Sequence, residues 1–516
     1  MNERIIIKNA VCMTMDEQRE ADWLVIKGDR IAAVGRGNGW EAYTGEQAAV
    51  IDAGGNTVLP GFIDNHFHVV EAGLTTVFID LSDARNFREI GERIKAAADK
   101  RERELIVANC LDRDALEEKV FPDRTVIDKY CNDIPVVIYA KDFHTLILNT
   151  FGILYFKAPL TLEGVEVDEQ DMPTGIFSNH AGARLDYKIS SSFSEEEIGA
   201  GINKMMKKLL SCGLTTVTAM EGGHMAFSSL TSECEYMYQH QDSFPVDTVL
   251  FYQTTDVDLV LEKGLPRIGG TLYVDGTLGR RTAALSSEYC DAPGQCGILC
   301  MDSTLLTEFV VSSCEHGLQS ALDAIGDAAV EAILCAFEEA AKTCDVSALR
   351  CRIEHGELLR RDQMERARRL GLIISMQPAY EGEWGGAGGM YEKRLGSRYT
   401  ETNQLREIID SGVVICGGSD FPTTDVNPMV GIHYAVNHPV AAHRISVEEA
   451  VAMYTCNGAY ALFCEHEAGS LTAGKRADIV ILDQNIQLIS ADRLKDTMAA
   501  VTIKNGRIVF NRWNSC

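Results

Sequence analysis

Short apolar runs alternate with amphipathic helical stretches along most of this chain, from about residue 59 to residue 465. Apolar runs bounded by turn residues predict strands, and the stretches 198–212, 328–344 and 361–370 have helical spacing. Strands that alternate with helices predict consecutive βα units and a parallel sheet. Eight units of this kind predict a (β/α)8 barrel of the TIM type. The eight strand candidates end at 66–68, 215–219, 249–252, 272–275, 321–323, 352–355, 373–378 and 413–416.

The two ends of the chain show a different pattern, in which short β-rich runs are separated by glycine-containing turns. Neither end is long enough to form a stable sheet alone. We therefore predict that residues 1–58 and 467–516 pair into one small composite β-sandwich domain, with the barrel, residues 59–466, between them. The interval between the first two barrel strands is too long for one crossover, so it predicts an inserted subdomain at about residues 80–190.

The composition narrows the functional classes. The 516 residues have a formal charge of −27, and 46% of them are hydrophobic. Nucleic acid and anionic membranes are poor partners for such a chain, since phosphate binding needs clustered Lys and Arg. No apolar run is long enough to span a bilayer, and the N-terminal apolar run is too short for a signal peptide.

Cysteine usage indicates the compartment. The 16 cysteines are scattered without a C-x-x-C pair, which favours free thiols in a reducing cytoplasm. Cys290, Cys296 and Cys300 form the closest group, and ordinary loop cysteines explain them better than a structural zinc. We therefore expect a cytoplasmic protein that acts on a small molecule. Large barrels often self-associate, so a homo-oligomer is one possible assembly of this chain.

Two histidines mark the end of the first barrel strand. His66 and His68 are spaced at i and i+2, so their side chains point to the same face of a strand. One divalent metal ion explains two imidazoles on one face better than core packing does. Taken alone, this short pattern fits one core histidine and one exposed histidine equally well.

Further polar residues stand at the ends of other barrel strands, where the reactive groups of such barrels lie. They are Asp275 (fourth strand), Asp323 (fifth), His355 (sixth) and Asp420 (eighth). Histidine nitrogens and carboxylate oxygens form a ligand set for a divalent metal. The alternatives are a helix N-cap for Asp420 and a core position for His355. A metal site is favoured because both residues stand at the same end of the barrel as the first-strand histidines.

An ordered series of motifs covers nearly the whole chain. Through these motifs the chain resembles the amidohydrolase superfamily, specifically its YtcJ-like, N-substituted formamide deformylase-like branch (amidohydrolase family 3). The resemblance implies a metal-dependent barrel with a composite β-domain that hydrolyses C–N bonds. The motifs are PGFIDNHFH at 60–68, DFH at 142–144, PTG at 173–175, DGTLGRRTAAL at 275–285, AIGD at 324–327, RIEH at 352–355, QP at 377–378, GSDFP at 418–422 and GSLTAGKRADIV at 469–480.

Three positions depart from the family pattern. Thr271 stands where the pattern expects a lysine, often carbamylated and bridging two metal ions. Asp323 stands where it expects a histidine, and Tyr380 where a histidine is frequent. A threonine cannot form a carbamate, so the usual bridge between two metals is missing. His355 and Asp323 are then expected near or in the coordination shell of a single ion.

We therefore predict one metal ion per chain, held by His66, His68 and Asp420. Zinc is the expected metal, with manganese and iron as alternatives. The metal would lower the pKa of a water molecule toward neutrality. Asp420 would take the proton of that water and deliver it to the leaving nitrogen. His355 and, by family analogy, His144 would polarise the substrate carbonyl.

Other residues are assigned to the substrate. We expect Asp142, Asp275 and Tyr380 to contact it. Arg280 and Arg281 follow the fourth strand and have the geometry to bind a substrate carboxylate, although salt bridges to the acidic surface are the more ordinary interpretation. The glycine-rich stretch 385–389 after the seventh strand predicts a mobile loop over the site.

Three functions fit these observations. The first is a hydrolase of an amide or formamide-type C–N bond other than a peptide bond. The second is a deaminase or cyclic-amide hydrolase that attacks a ring carbon. The third is a degenerate barrel that binds a ligand without catalysis, which the departures at Thr271 and Asp323 motivate. Glu221 stays open as an alternative bridge between two metals, against the ordinary interpretation of a surface carboxylate.

Overall fold

The computed structural model describes residues 4–45, 48–101, 103–141, 145–190, 192–221 and 231–513. Eight parallel strands form one sheet in which consecutive strands are neighbours. The last strand meets the first, since the Asp420 backbone N–H donates to the His66 carbonyl at 2.8 Å. The predicted TIM-like (β/α)8 barrel is confirmed. Its strands are Phe62–Phe67, Leu214–Glu221, Asp247–Tyr252, Arg267–Ile268, Gln319–Ala324, Arg352–His355, Ile373–Met376 and Val414–Gly417.

Most barrel strands are buried along their whole length. Every residue of Gln319–Ala324 and of Arg352–His355 is buried. Strands covered on both faces need no alternation of polar and apolar residues, which explains their continuous apolar runs. Ile63, Met220 and Phe251, from three different strands, belong to one apolar cluster in the barrel core.

The fourth strand differs from the prediction. Arg267–Ile268 pair with the third and fifth strands. After an interruption, Tyr273 forms a single parallel bridge with Asp323 of the fifth strand, where the Asp323 N–H donates to the Leu272 carbonyl at 3.0 Å and the Val274 N–H donates to the Asp323 carbonyl at 2.9 Å. Gly269 turns the chain immediately after the paired residues, with a φ of 102°. A Cβ at this glycine would lie 2.2 Å from a carbonyl oxygen of the fifth strand. The turn at Gly269 therefore divides the fourth strand, and the predicted run at 272–275 contributes its second, shorter part.

Helices between and after the strands complete the βα units. Asp302 begins one of them, because its carboxylate accepts a hydrogen bond from the Thr304 N–H at 2.8 Å. Within the described residues, no helix is long and apolar enough to cross a lipid bilayer. The barrel helices are Thr231–His240, Val257–Glu262, Ser303–Glu315, Asp327–Ala340, Arg361–Leu370, Tyr380–Glu383, Met390–Leu395, Leu405–Asp410, Pro428–Val436, Val447–Met453 and Cys456–Ala461.

Strands from both ends of the chain form two further sheets with a common core. Ile7 and Leu24 of one sheet belong to the same apolar cluster as Val58 and Ile479 of the other. This arrangement confirms the composite β-domain of the predicted fold. The first sheet contains Arg4–Lys8, Trp23–Lys27, Arg30–Gly35 and Ala48–Asp52, and the second contains Val11–Met13, Glu20–Ala21, Thr57–Pro60, Ile479–Leu482, Ala499–Lys504 and Arg507–Asn511.

Residues Val70–Met205 form a second compact unit. Its sheet has apolar residues on both faces, since Ile106 and Ile138 belong to one cluster and Val107 and Val137 to another. The strands are Ile79–Asp80, Ile106–Leu111, Val136–Ala140, Leu146–Leu148, Val165–Val167 and Pro173–Phe177. The helices in or bordering this unit are Val69–Thr75, Phe87–Lys100, Arg124–Asp128, Thr150–Tyr155, Asn179–Ser190 and Glu195–Ser211.

Candidate metal centre

His66 and His68 lie together at the C-terminal end of the first barrel strand. Their ring centroids are 5.4 Å apart, and both side chains are buried. The carboxylate of Asp64 accepts hydrogen bonds from the backbone N–H groups of His66, at 3.1 Å, and of Ser419, at 3.0 Å. Asp64 therefore joins the end of the first strand to the loop after the eighth, where Asp420 stands.

Three histidines of the site share one orientation. In each of them Nδ1 lies 2.8 Å from an oxygen that accepts its hydrogen bond, so in the neutral imidazole the lone pair is on Nε2. This tautomer leaves Nε2 available to a metal ion. The acceptors are Glu354 Oε2 for His66, the Met220 carbonyl oxygen for His68 and Gln377 Oε1 for His355.

A buried ion pair lies behind His66. Glu354 accepts hydrogen bonds from Arg352 Nε at 2.7 Å and Nη2 at 2.9 Å, and neither side chain is exposed. Burial raises the pKa of the Glu354 carboxyl, but Arg352 and His66 outweigh it and lower the value to about 2. Glu354 is thus a fixed anion that orients His66. Sequence reasoning missed this role, although an Arg and a Glu at i and i+2 in a buried strand were a usable signal.

Asp420 stands after the eighth strand with a φ of 51°, which is uncommon for a residue other than glycine. Its Oδ1 lies 2.8 Å from His68 Nε2 and 3.3 Å from His66 Nε2. The Tyr380 hydroxyl donates to its Oδ2. The N-cap alternative does not hold, since the next helix is capped by Asn427 and the Asp420 side chain faces the histidines.

Asp323, at the end of the fifth strand, faces His355 of the sixth. Its Oδ2 lies 3.7 Å from His355 Nε2, which is longer than a hydrogen bond. Neither oxygen of the Asp323 carboxylate accepts a hydrogen bond from any described residue, and the residue is 2% exposed. His66 Nε2 is likewise buried without a hydrogen-bond partner among those residues. Buried polar atoms of this kind are costly unless a cation or another partner satisfies them.

The electrostatics of the site favour positive charge. Burial lowers the pKa of His66, but Asp420 and Glu354 raise it overall to well above its usual value. Burial also lowers the pKa of His355, and Asp323 outweighs this and raises it to about 9. Conversely, burial raises the pKa of Asp420, and the first-strand histidines bring it well below its usual value. Carboxylates that stabilise imidazolium ions would equally stabilise a divalent cation.

Two sets of three buried side chains are close enough to hold a metal ion, with ligand atoms within 4.8 Å of one another in each set. The first set is His66, His68 and Asp420, and the second is His66, Asp323 and His355. Imidazole nitrogens with one carboxylate are ligands that zinc and other divalent metals accept. Since buried atoms of both sets lack other partners, the residues present fit a divalent metal ion.

The residue in place of the family lysine supports His68. Thr271 is buried, and its hydroxyl donates to the Met220 carbonyl oxygen at 2.9 Å. The same oxygen accepts the hydrogen bond of His68 Nδ1. Glu221, the alternative bridging ligand, accepts a hydrogen bond from the Val69 N–H at 2.6 Å and belongs to neither set of three.

Asp275, for which the substrate contact stays a prediction, has a structural role. Its buried carboxylate accepts hydrogen bonds from three backbone N–H groups at 2.7–3.0 Å. The donors are Ala284, Ile325 and Gly326. Asp275 therefore fastens the loop after the fourth strand to the loop after the fifth, and its oxygens are already engaged.

The other residues assigned to the substrate lie in different surroundings. Arg281 pairs with both oxygens of Asp291 at 2.9 and 2.8 Å, which is the salt-bridge alternative, and Arg280 is exposed. Tyr380 is within the site, where its hydroxyl contacts Asp420. Asp142 and His144 lie outside the described residues, so their roles stay predictions.

Comparison with known proteins gives a consistent result. A sequence profile of the amidohydrolase family matches residues 49–510. The putative amidohydrolase YtcJ of Bacillus subtilis (strain 168) is 26% identical over 508 residues, which cover 92% of this chain and 92% of YtcJ. The N-substituted formamide deformylase of Arthrobacter pascens is 23% identical over 545 residues, 99% of each chain.

A solved structure agrees with these sequence relatives. The crystal structure of a metal-dependent hydrolase from Pyrococcus furiosus superposes with a TM-score of 0.75 and 28% identity. The match covers 93% of this chain and 99% of that one. Together with the profile, these similarities confirm the resemblance drawn from the motifs.

Proposed function

The chain belongs to the amidohydrolase family, and on that premise we propose that it hydrolyses an amide or formamide-type C–N bond of a small molecule with one divalent metal ion. The observation that supports this most directly is the pair of buried ligand sets that meet at His66. The name of the Arthrobacter pascens relative supports the substrate class, since that protein is an N-substituted formamide deformylase.

The ligands would come from five buried side chains. They are His66 with His68 and Asp420, or His66 with Asp323 and His355. With a divalent metal bound to these residues, the pKa of a water molecule there would fall toward neutrality. Zinc suits this nitrogen and oxygen set best, and manganese and iron are alternatives.

Asp420 is the group that moves the proton. Its Oδ1 lies 2.8 Å from His68 Nε2, and its Oδ2 accepts a hydrogen bond from the Tyr380 hydroxyl, so the carboxylate has a fixed position. As the attacking water forms its bond to the carbonyl carbon, Asp420 accepts the water proton. As the C–N bond breaks, Asp420 delivers that proton to the leaving nitrogen, which departs as the amine.

The substrate carbonyl needs a second group that stabilises the negative charge developing on its oxygen. His355 is suited to this role, because its Nδ1 is fixed on Gln377 Oε1 at 2.8 Å and its Nε2 is directed away from that contact. By family analogy, His144 shares the role.

The test combines metal analysis with a substrate panel. We expect about one equivalent of metal per chain, and release of amine from N-substituted formamides or simple amides. Cyclic amides and aminated heterocycles complete the panel. Ammonia release from the heterocycles alone would replace the proposal with a deaminase, and a chain without metal after expression in supplemented medium would overturn it.

His66→Ala removes the ligand common to both sets, so metal and activity should be lost together. His316→Ala is the matched control, because His316 is exposed at the C-terminal end of the helix Ser303–Glu315 and its Nδ1 hydrogen-bonds to the Ser312 carbonyl. Full activity in metal-free His66→Ala protein would contradict the proposal.

A further inference from the structure

We propose that a cleft between helices of the barrel's outer layer binds a small molecule that carries two or more phosphate or carboxylate groups. The cleft has a volume of about 860 Å³ and lies between the helix Arg361–Leu370 and the segment 398–411. That volume is in the range of sites for small organic ligands. None of the described residues that line it belongs to the candidate metal centre, so this is a second site.

Arginine is the commonest residue type in the lining of the cleft. Five of the 17 described lining residues are arginines and none is a lysine, although the whole chain has a net charge of −27. A guanidinium group is planar and donates two parallel hydrogen bonds to a carboxylate or a phosphate, whereas an ammonium group acts as a point charge. The choice of arginine therefore suits a ligand with oxyanion groups. The five are Arg360, Arg361, Arg368, Arg369 and Arg398.

The pairing of charges in the cleft leaves an excess of positive charge. Among the described residues, Glu401 is the lining carboxylate that has no basic partner. Arg368, Arg369 and Arg398 form no ion pair with a carboxylate in the same part of the chain. Three guanidinium groups are therefore left against one carboxylate, an excess of two positive charges. The other four lining carboxylates have partners, which are Arg360 for Asp327 at 3.1 Å, Arg361 for Glu365 at 3.8 Å, His443 for Glu407 at 2.8 Å and Arg406 for Asp410 at 2.8 Å.

Two of these three arginines are held in place by neutral contacts. Arg398 is half-buried, and its Nη2 donates to the Glu288 carbonyl oxygen at 2.8 Å. The stem of Arg368 packs against Gly412, since a Cβ at that glycine would lie 3.1 Å from Arg368 Cδ. Side chains that are already positioned lose less conformational freedom when a ligand binds. Arg368 and Arg369 belong to one side of the cleft and Arg398 to the other, so a ligand that reaches both sides needs more than one anionic group.

The uncharged part of the lining suits an organic molecule. Leu358, Leu359 and Met364 provide apolar surface, and three serines with Gln404 provide hydroxyl and amide groups. A site for a small molecule combines apolar surface with a few polar groups in this way. A basic peptide is a poor ligand here, because it would meet the same excess of positive charge.

The experiment is isothermal titration calorimetry of the full-length protein with pyrophosphate and with citrate at low ionic strength. We expect saturable binding of one molecule per chain, tighter than that of inorganic phosphate and weakened by added salt. Pyrophosphate and citrate also bind metal ions, so each titration is repeated on chelator-treated protein, where the affinity should be unchanged. A preference for pyrophosphate identifies the natural groups as phosphates, and a preference for citrate identifies them as carboxylates.

Variants of opposite sign test the residues of the cleft. Arg368→Gln and Arg369→Gln each remove a charge-assisted contact, so each should raise the Kd about tenfold. Glu401→Gln removes the unpaired carboxylate and should lower the Kd. Arg88→Gln is the matched control, because Arg88 is an exposed arginine on the helix Phe87–Lys100 and does not line the cleft.

Several results would overturn the proposal. A Kd above about 1 mM for both pyrophosphate and citrate would leave the cleft without a ligand of this class. Loss of binding after chelator treatment would place the anion at the metal centre. An equal change in Arg88→Gln and in the cleft variants would show that only the net charge of the protein matters. Circular dichroism of each variant confirms that it is folded, and the site is independent of the hydrolytic activity, so either proposal can fail without the other.

Discussion

Clusters of charged side chains occur at both ends of the barrel, and they are arranged differently. At the N-terminal end, Asp247 begins the third barrel strand and meets Asp478, Lys504 and Arg476 of the chain's C-terminal region. Lys504 Nζ lies 2.7 Å from Asp247 and 2.9 Å from Asp478, and Arg476 lies 2.7 and 2.8 Å from the same two carboxylates. Two cations there balance two anions within the protein itself.

At the C-terminal end, the described residues leave one buried carboxylate, that of Asp323, without a hydrogen-bond donor. Asp323 has no hydrogen bond from a described residue to either oxygen, whereas Asp275, on the neighbouring fourth-strand loop, accepts three from the backbone. Both residues are 2% exposed. Burial alone therefore does not identify a ligand, since the number of satisfied acceptor atoms distinguishes the two carboxylates. This difference suits a barrel in which one end provides stability and the other end provides chemistry.

The largest effect on stability should come from removing one cation from the charged cluster at the N-terminal end of the barrel. Lys504→Met leaves Asp247 and Asp478 with one cation, and we expect a loss of about 3 kcal/mol in the free energy of unfolding. Metal content should not change, because the network is at the opposite end of the barrel. Urea unfolding measures the first quantity and elemental analysis the second. Lys495→Met, at an exposed lysine, is the control, and loss of metal in Lys504→Met without loss of stability would reverse the comparison.

Removal of the metal from the C-terminal end of the barrel should lower the free energy of unfolding by a comparable amount. At a free metal concentration 100-fold above Kd, binding to the native state adds about 2.7 kcal/mol to stability. A chelator should therefore lower the melting temperature of the unmodified protein and change that of His66→Ala very little. Differential scanning calorimetry with and without chelator makes the measurement. A rise in melting temperature on chelation would show that the carboxylates are better satisfied without a cation.

A smaller effect should distinguish the two carboxylates at the same end. Asp275→Asn replaces oxygens that accept three backbone hydrogen bonds, and we expect a loss of about 2 kcal/mol in stability. Its metal affinity should be unchanged, whereas Asp323→Asn should lose metal affinity without that loss of stability in the metal-free protein. Urea unfolding of both metal-free variants tests this. Equal stability losses would mean that Asp323 has a structural partner after all.

The smallest expected effect concerns the positioning of Asp420. Tyr380→Phe removes the hydroxyl that donates to Asp420 Oδ2, and we expect kcat to fall about tenfold, or about 1.4 kcal/mol. KM and metal content should be nearly unchanged, because the ring and its edge-on contact with Trp384 remain. Steady-state kinetics on the best substrate of the panel provides the measurement. A change in KM alone would instead make Tyr380 a substrate contact.

The sequence predicted the barrel well because its strands are buried and bounded by turns. The interruption of the fourth strand at Gly269 was not predicted, because it depends on the close approach of this glycine to the fifth strand, a contact that local patterns do not contain. Similarly, Asp275 and Asp323 were assigned from their positions at strand ends, where both residues stand. What each carboxylate contacts depends on loops that follow other strands, and no spacing in the sequence reports it.

The candidate ligands were predicted, whereas the residues that orient them were not. His66, His68 and His355 follow from strand ends and family motifs. Glu354 and Gln377, which orient two of these imidazoles, lie within the motifs at 352–355 and 377–378, but the motifs assign them no role. Their role depends on which neighbouring strand each side chain faces, which is a property of the closed barrel.

The composite β-domain has a consequence for the folding of the chain during its synthesis. Thr57–Pro60 pairs on one side with Val11–Met13, which is available early, and on the other side with Ile479–Leu482. During synthesis that second edge stays without its partner until more than four hundred further residues have been added. An unpaired strand edge can pair with other chains, so this edge exposes the ribosome-bound chain to aggregation. The barrel that folds in the meantime brings the two ends together and shortens this search.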